Sequence, residues 1–169
     1  EARLQECPAG TPTARDAASA VGCELDQIVK SLLFLCDDRP VLALVPGSRR
    51  ADPKKLAGAV GAASIRIAPP AEVRAATGYE VGGVAPFALP AVERILVDRT
   101  LLRWDIVWTG AGSERHMAGL APAELVRLTR AEPIDAQRMP NVNVLDVRTE
   151  KAFRTGLGRI TGFFDVYNI

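Results

Sequence analysis

The pattern of apolar and polar positions divides the chain of 169 residues into short strands and helices that alternate. Val29-Lys30-Ser31-Leu32-Leu33-Phe34-Leu35-Cys36 is a dense apolar run of strand length, and residues 41–45 form another. Asp37-Asp38-Arg39-Pro40 between them is turn chemistry, so the pair predicts a hairpin at the centre of a sheet. Further strands are expected over residues 64–68, 94–97, 105–109 and 115–120.

Helix signals fall between these runs. Thr13-Ala14-Arg15-Asp16 resembles a capping box with Asp in place of Glu, and it opens a helix that Gly22 closes. Asp52 and Pro53 are suited to the N-cap and first position of a helix running to residue 60. Pro70 opens a helix that ends near Gly78, a short helical stretch is expected over 101–104, and Pro122 starts a helix over 123–130. The expected architecture is α/β: a single domain over residues 1–131, with a mixed central β-sheet and helices packed around it. Residues 132–169 differ in flavour. A strand is expected there over 142–147, a helical turn over 150–154 and an apolar end over 163–169, as a C-terminal extension of no assigned role.

Composition narrows the class of function. The 48% hydrophobic and 24% charged content is that of an ordinary globular protein. A formal charge of +1 excludes global attraction to nucleic acid, so any such contact needs a local patch. No apolar run reaches the roughly 20 residues of a membrane span, and the polar start Glu1-Ala2-Arg3-Leu4-Gln5-Glu6 is not that of a signal peptide. Cys7, Cys23 and Cys36 lack metal-ligand spacing and read as free thiols in a reducing, cytoplasmic setting. Cys36 as a nucleophile is a further alternative.

The chemistry concentrates in a few places. Gly78-Tyr79-Glu80-Val81-Gly82-Gly83-Val84-Ala85-Pro86-Phe87 offers bare backbone and a fixed exit direction. It is either a tight connection or a loop that holds a small polar ligand by main-chain hydrogen bonds. Lys30 lies inside an apolar run, so its ammonium either reaches water or meets an anion or a developing oxyanion. His116, the one histidine in the chain, follows Gly110-Ala111-Gly112-Ser113; it is either structural or part of a site. Arg49, Arg50, Lys54 and Lys55 are either a solvated helix end or a phosphate-contacting patch. No zinc spacing, P-loop or nucleophile elbow is present, so neither a metal nor a cofactor is expected.

In order, Thr13 to Ala18, Ile28-Val29-Lys30-Ser31-Leu32-Leu33-Phe34, Pro46-Gly47 with its basic helix start, Thr77-Gly78-Tyr79, Gly82 to Phe87, Gly112-Ser113 with His116, and Pro122-Ala123-Glu124-Leu125 resemble the YbaK/ProX family. These are the free-standing relatives of the editing domain inserted in bacterial prolyl-tRNA synthetases. The resemblance runs from about residue 13 to residue 130. It implies an aminoacyl-tRNA deacylase that clears a small wrong amino acid from tRNA-Pro, by attack of water on the ester with help from the terminal 2′-hydroxyl. It implies that Lys30, Gly82 and His116 carry catalysis. Ser31, Gly83, Val84, Ala85, Pro86, Phe87, Gly112 and Ser113 would bind the substrate, with Arg49, Arg50, Lys54 and Lys55 on the tRNA. The acceptor end of tRNA-Pro, and prolyl-tRNA synthetase itself, are the implied partners. A non-catalytic tRNA- or synthetase-binding module of the same fold is the alternative. The family pattern has a further helix before the Thr13 segment, where this chain has about a dozen residues, so either a weaker pocket wall or a trimmed sequence is expected there.

Overall fold

The computed structural model describes residues 3–134, 149–155 and 158–164. The chain divides into two compact units, Glu1–Gln137 and Arg138–Ile169.

The first unit is built on a mixed sheet. Its centre is the expected hairpin, β2 (Ile28–Cys36) with β3 (Arg39–Pro46), paired antiparallel from Val29 opposite Pro46 to Cys36 opposite Arg39. Asp37 and Asp38 turn the corner with positive φ, which short polar side chains tolerate. The Asp37 carboxylate also accepts from the backbone N–H groups of Ala63 and Ser64. Beside β3, in parallel, come β5 (Arg94–Val97) and then β8 (Glu132–Pro133). Beside β2 come β6 (Val107–Gly110), parallel, then β7 (His116–Leu120) and β1 (Arg3–Glu6), both antiparallel. The short β4 (Ile65–Ile67) takes the far end of the β2 edge, opposite Phe34 to Cys36.

Helices cover both faces. Alternation along β3 sends Leu42 and Leu44 to one core and Val41, Ala43 and Val45 to the other, which is why that strand reads as an unbroken apolar run. On the first face, Val29, Leu33, Leu42 and Leu44 pack with Val73 of α3 (Pro70–Thr77), Leu101 of the 3₁₀ turn Arg99–Arg103, and Leu125 of α4 (Pro122–Thr129). On the second face lie Leu56 of α2 (Pro53–Val60), and Ala17 and Ala18 of α1 (Ala14–Val21) against Ile28 and Met117. The caps act as their residues imply. Thr13 and Asp16 form the reciprocal capping box of α1, and the Asp52 carboxylate accepts from the N–H groups of Lys54 and Lys55.

Two elements depart from expectation at the ends of the first unit. The polar start contributes an edge strand, β1, whose residues are mostly exposed and so leave no apolar alternation to read. Glu132, expected to begin the extension, belongs to the sheet as part of β8, where its carboxylate grips the Arg94 guanidinium.

The second unit contains an antiparallel hairpin of β9 (Thr149–Thr155) and β10 (Gly158–Phe164). The helical turn expected over 150–154 is therefore a strand. Lys151 and Ala152 suit a helix locally, but cross-strand pairing with a Gly-, Ile- and Phe-bearing run overrides that local preference. The strand expected over 142–147 lies outside the described residues.

Candidate functional site

β2 pairs with β6 only at Ile28 and Val29, opposite Trp108 and Thr109. Beyond that point the two strands part, and β4 does not take up the β2 edge until Phe34. A cleft of about 310 Å³ opens at this gap. One wall is Lys30, Ser31 and Leu32 of β2, and another is Gly82 and Val84 of the glycine loop with Gly110 at the end of β6. A third wall is the entry to α1, from Thr11 to Ala17. The wall expected to be weak is thus supplied by the segment between β1 and α1, which Thr11 anchors by donating its hydroxyl to the Glu114 carbonyl at 2.8 Å.

The glycine loop makes close approaches that a side chain would crowd. A Cβ on Gly110 would stand 3.3 Å from the Val84 carbonyl oxygen, and one on Gly83 would stand 3.2 Å from Cα of Ser113. Gly82 has φ +97°, in the region that favours glycine, and it presents backbone to the cleft. Val84 and Ala85 are buried and Phe87 packs on the main core, so the stretch after Gly83 anchors the loop while Gly82 faces the open space.

Lys30 reaches the cleft rim, where its ammonium donates to the carbonyl of Arg49. Partial burial, and then the neighbouring Arg50 guanidinium, hold its pKa below the ordinary lysine range. The Ser31 hydroxyl is shielded from solvent and has no hydrogen-bond partner among the described residues; the same is true of the fully buried Thr109 hydroxyl one strand away.

The structure brings Lys30, Ser31, Gly82 and Val84 to one cleft, and distributes the other expected residues around it. Gly83, Gly112 and Ser113 line a separate groove of about 530 Å³ with Tyr79 behind the loop. His116 is at that side: its Nδ1 is hydrogen-bonded to Ser113 Oγ at 2.7 Å, and Ser113 Oγ accepts from the Arg115 N–H at 3.2 Å. His116 does not line the cleft; its neighbour Met117 does. Arg49 pairs with Asp98 at 4.0 Å, and Arg50 edges an adjacent groove. Lys54 and Lys55 sit exposed on the first turn of α2. Cys36 is buried on the α2 side, where burial and then Asp37 push its thiol up, with Arg39 opposing. Among the described residues no group of three His, Cys, Asp or Glu side chains stands close enough to hold a metal ion, and no helix is long and apolar enough to cross a membrane.

The lining also includes Ala17, which the Thr13 to Ala18 motif contained, and Thr11, Pro12, Gly110 and Met117, which sequence reasoning did not assign to the site. Of the last four, only Gly110 carried a signal, as the start of a glycine-rich turn. The others are ordinary cap or core residues until β1, β6 and β7 are placed beside β2.

A mixed sheet sandwiched by helices, with a cleft lined by glycine backbone and one ammonium where two parallel strands diverge, defines the architecture of the first unit. The particular family follows from comparison: the chain belongs to the aminoacyl-tRNA editing domain family, whose profile matches residues 8–128. The solved structure of a candidate trans-editing enzyme for prolyl tRNA synthetase superposes with a TM-score of 0.73 at 40% identity, over 78% of this chain and 83% of that one. The proline–tRNA ligase of Nitratidesulfovibrio vulgaris is 38% identical over 138 residues, which is 80% of this chain but 23% of the ligase. The uncharacterized protein YwhH of Bacillus subtilis is 33% identical over 123 residues, 72% of this chain and 78% of YwhH. The chain thus spans under a quarter of the ligase and most of the two shorter relatives.

Proposed function

We propose that the protein is a trans-editing deacylase that hydrolyses the ester between a small wrong amino acid and the 3′-terminal adenosine of tRNA-Pro. The observation that carries this reading is the sharing of one cleft by Lys30 and Gly82. The likeness, at 40% identity, to a structure described as a candidate trans-editing enzyme for prolyl tRNA synthetase supports action in trans. The cytoplasm, where charged tRNA is used, is the setting this implies, and prolyl-tRNA synthetase is the enzyme whose errors it would clear.

The chemistry needs no protein nucleophile. Water attacks the ester carbonyl, its proton passes by way of the substrate's 2′-hydroxyl, and the 3′-oxygen leaves as a hydroxyl. The products are free amino acid and uncharged tRNA. The protein's part is position and field. Lys30 supplies positive charge at the rim, near the terminal nucleotide. Gly82 and Val84 offer main-chain groups that orient the aminoacyl group, and Ser31 offers a hydroxyl that gains a partner when substrate binds. Gly83, Ala85, Pro86, Phe87, Gly112, Ser113 and His116 act one layer back, by holding the loop. The pairing of Ser113 with His116 is what locks the turn against which Gly83 rests. Selection by size fits the need: a synthetase pocket built for proline discriminates weakly against something of equal or smaller size, so a second site must remove the error.

The test is a panel of tRNA-Pro species carrying alanine, 2-aminobutyrate, serine, threonine, cysteine or proline. At least one small residue should be released far faster than proline, and a 2′-deoxy terminal adenosine should abolish that release. Tight binding of every species with no turnover would favour the non-catalytic module instead. The editing role is assigned to the first unit, and the hairpin unit carries none of the proposed site.

A further inference from the structure

A second groove, of about 410 Å³, adjoins the cleft and shares Lys30 and Leu32 with it. Its floor is apolar: Leu32 and Phe34 of β2, with Ile65 and Ile67 of β4 alongside. Ile67 is 61% exposed, although Phe34 directly opposite it is buried. The rim is cationic, made by Lys30, Arg50 and Arg66. Arg66 is committed to Glu72 through two hydrogen bonds of 2.8 and 3.1 Å, with Asp38 3.9 Å away. Arg50 has no such commitment: it makes no ion pair with a carboxylate among the described residues. Its nearest carboxylate in sequence, Asp52, is occupied in capping α2. Arg50 instead bears on Lys30, disfavouring the charge there. Arg50, and Lys30 whose ammonium meets only the Arg49 carbonyl, share the rim of this apolar trough, a combination complementary to an anion that carries a flat apolar group.

We propose that this groove holds the single-stranded nucleotides that precede the terminal adenosine of the RNA. A base lies on the Phe34–Ile67 floor, and the phosphodiester that joins it to the adenosine sits between Lys30 and Arg50. The proposal rests on the deacylase reading of the first cleft, because Lys30 and Leu32 make the two spaces continuous and so set a phosphate beside the ester. RNA fits better than an acidic peptide, since the trough offers apolar area for a base together with charge at its edge. Such a surface is tolerant of base identity, so it supplies affinity and register, not sequence choice.

The experiment compares kcat/KM for a 3′-aminoacyl-adenosine with that for the same amino acid on a CCA trinucleotide, in wild type, Arg50→Ala and Ile67→Asp. Wild type should prefer the trinucleotide, and each variant should lose about tenfold of that preference. Ile67 is exposed, so its substitution spares the core, which circular dichroism verifies. In parallel, calorimetry measures binding of the unacylated trinucleotide, expected to weaken about tenfold in either variant and to fall with salt. An unchanged preference, or unchanged trinucleotide binding, overturns the groove assignment. If no ester is hydrolysed by any form while trinucleotide binding still depends on Arg50 and Ile67, the deacylase reading fails and the groove stands.

Discussion

Lys30 combines two pressures: partial burial and the proximity of Arg50 both favour its neutral form. If its charge supports the reaction, the enzymatic rate must fall as pH rises through a pKa below the usual lysine value, because the ammonium is lost there. Arg50→Ala removes one of the two pressures, so the falling limb should move to higher pH. A pH–rate profile with spontaneous ester hydrolysis subtracted measures this shift. Ser31 makes a complementary prediction. Its hydroxyl is shielded and unpartnered, so Ser31→Ala should change stability by no more than about 1 kcal/mol, in either direction. The same change should lower kcat/KM about tenfold if the substrate is what satisfies that hydroxyl. Urea denaturation and single-turnover deacylation separate the two effects. Cys36 sits in core with its thiol pushed up, so Cys36→Ala should leave deacylation intact, which a cysteine nucleophile would not allow.

Among the elements, the turn that leaves β3 is the most constrained. A Cβ on Gly47 would stand 2.4 Å from the Leu25 carbonyl and 3.3 Å from Cβ of Ala14 at the start of α1. Gly47→Ala must therefore push on the segment that walls the cleft. A loss of about 1–3 kcal/mol, read from the shift in denaturation midpoint, is expected, together with a higher KM. The same packing logic explains what could be read from residues alone. β2 and β3 were legible because residues on both their faces are buried, which leaves dense apolar runs bounded by Asp-Asp and Pro-Gly. Lys30 stood out because it interrupts such a run, and Gly82 because glycine there meets a positive φ. β1 was not legible, since an exposed edge strand has no buried face to imprint a pattern. Thr11 and Met117 were not either, because their place in the cleft depends on β7 pairing with β1 and β6. His116 was legible as unusual but not in its direction: alternation along β7 turns Met117, not His116, to the cleft.

At the scale of the molecule, the residues that line the cleft all lie in the first compact unit. A chain ended at Gln137 should keep its urea midpoint and its deacylation rate within about twofold, whereas loss of both would tie the hairpin unit to the fold. The match to the aminoacyl-tRNA editing domain family, over residues 8–128, falls within the same unit. What unites the scales is a short gap between β2 and β6, bordered by one ammonium and by glycine backbone. The most direct test of that arrangement is the rate at which alanine or another small residue leaves mischarged tRNA-Pro, with wild type and Lys30→Ala measured side by side. Release well above the uncatalysed rate by wild type, cut at least about a hundredfold in Lys30→Ala, is the predicted result. Release no faster than the uncatalysed rate for every small residue, or equal rates for the two proteins, would contradict it.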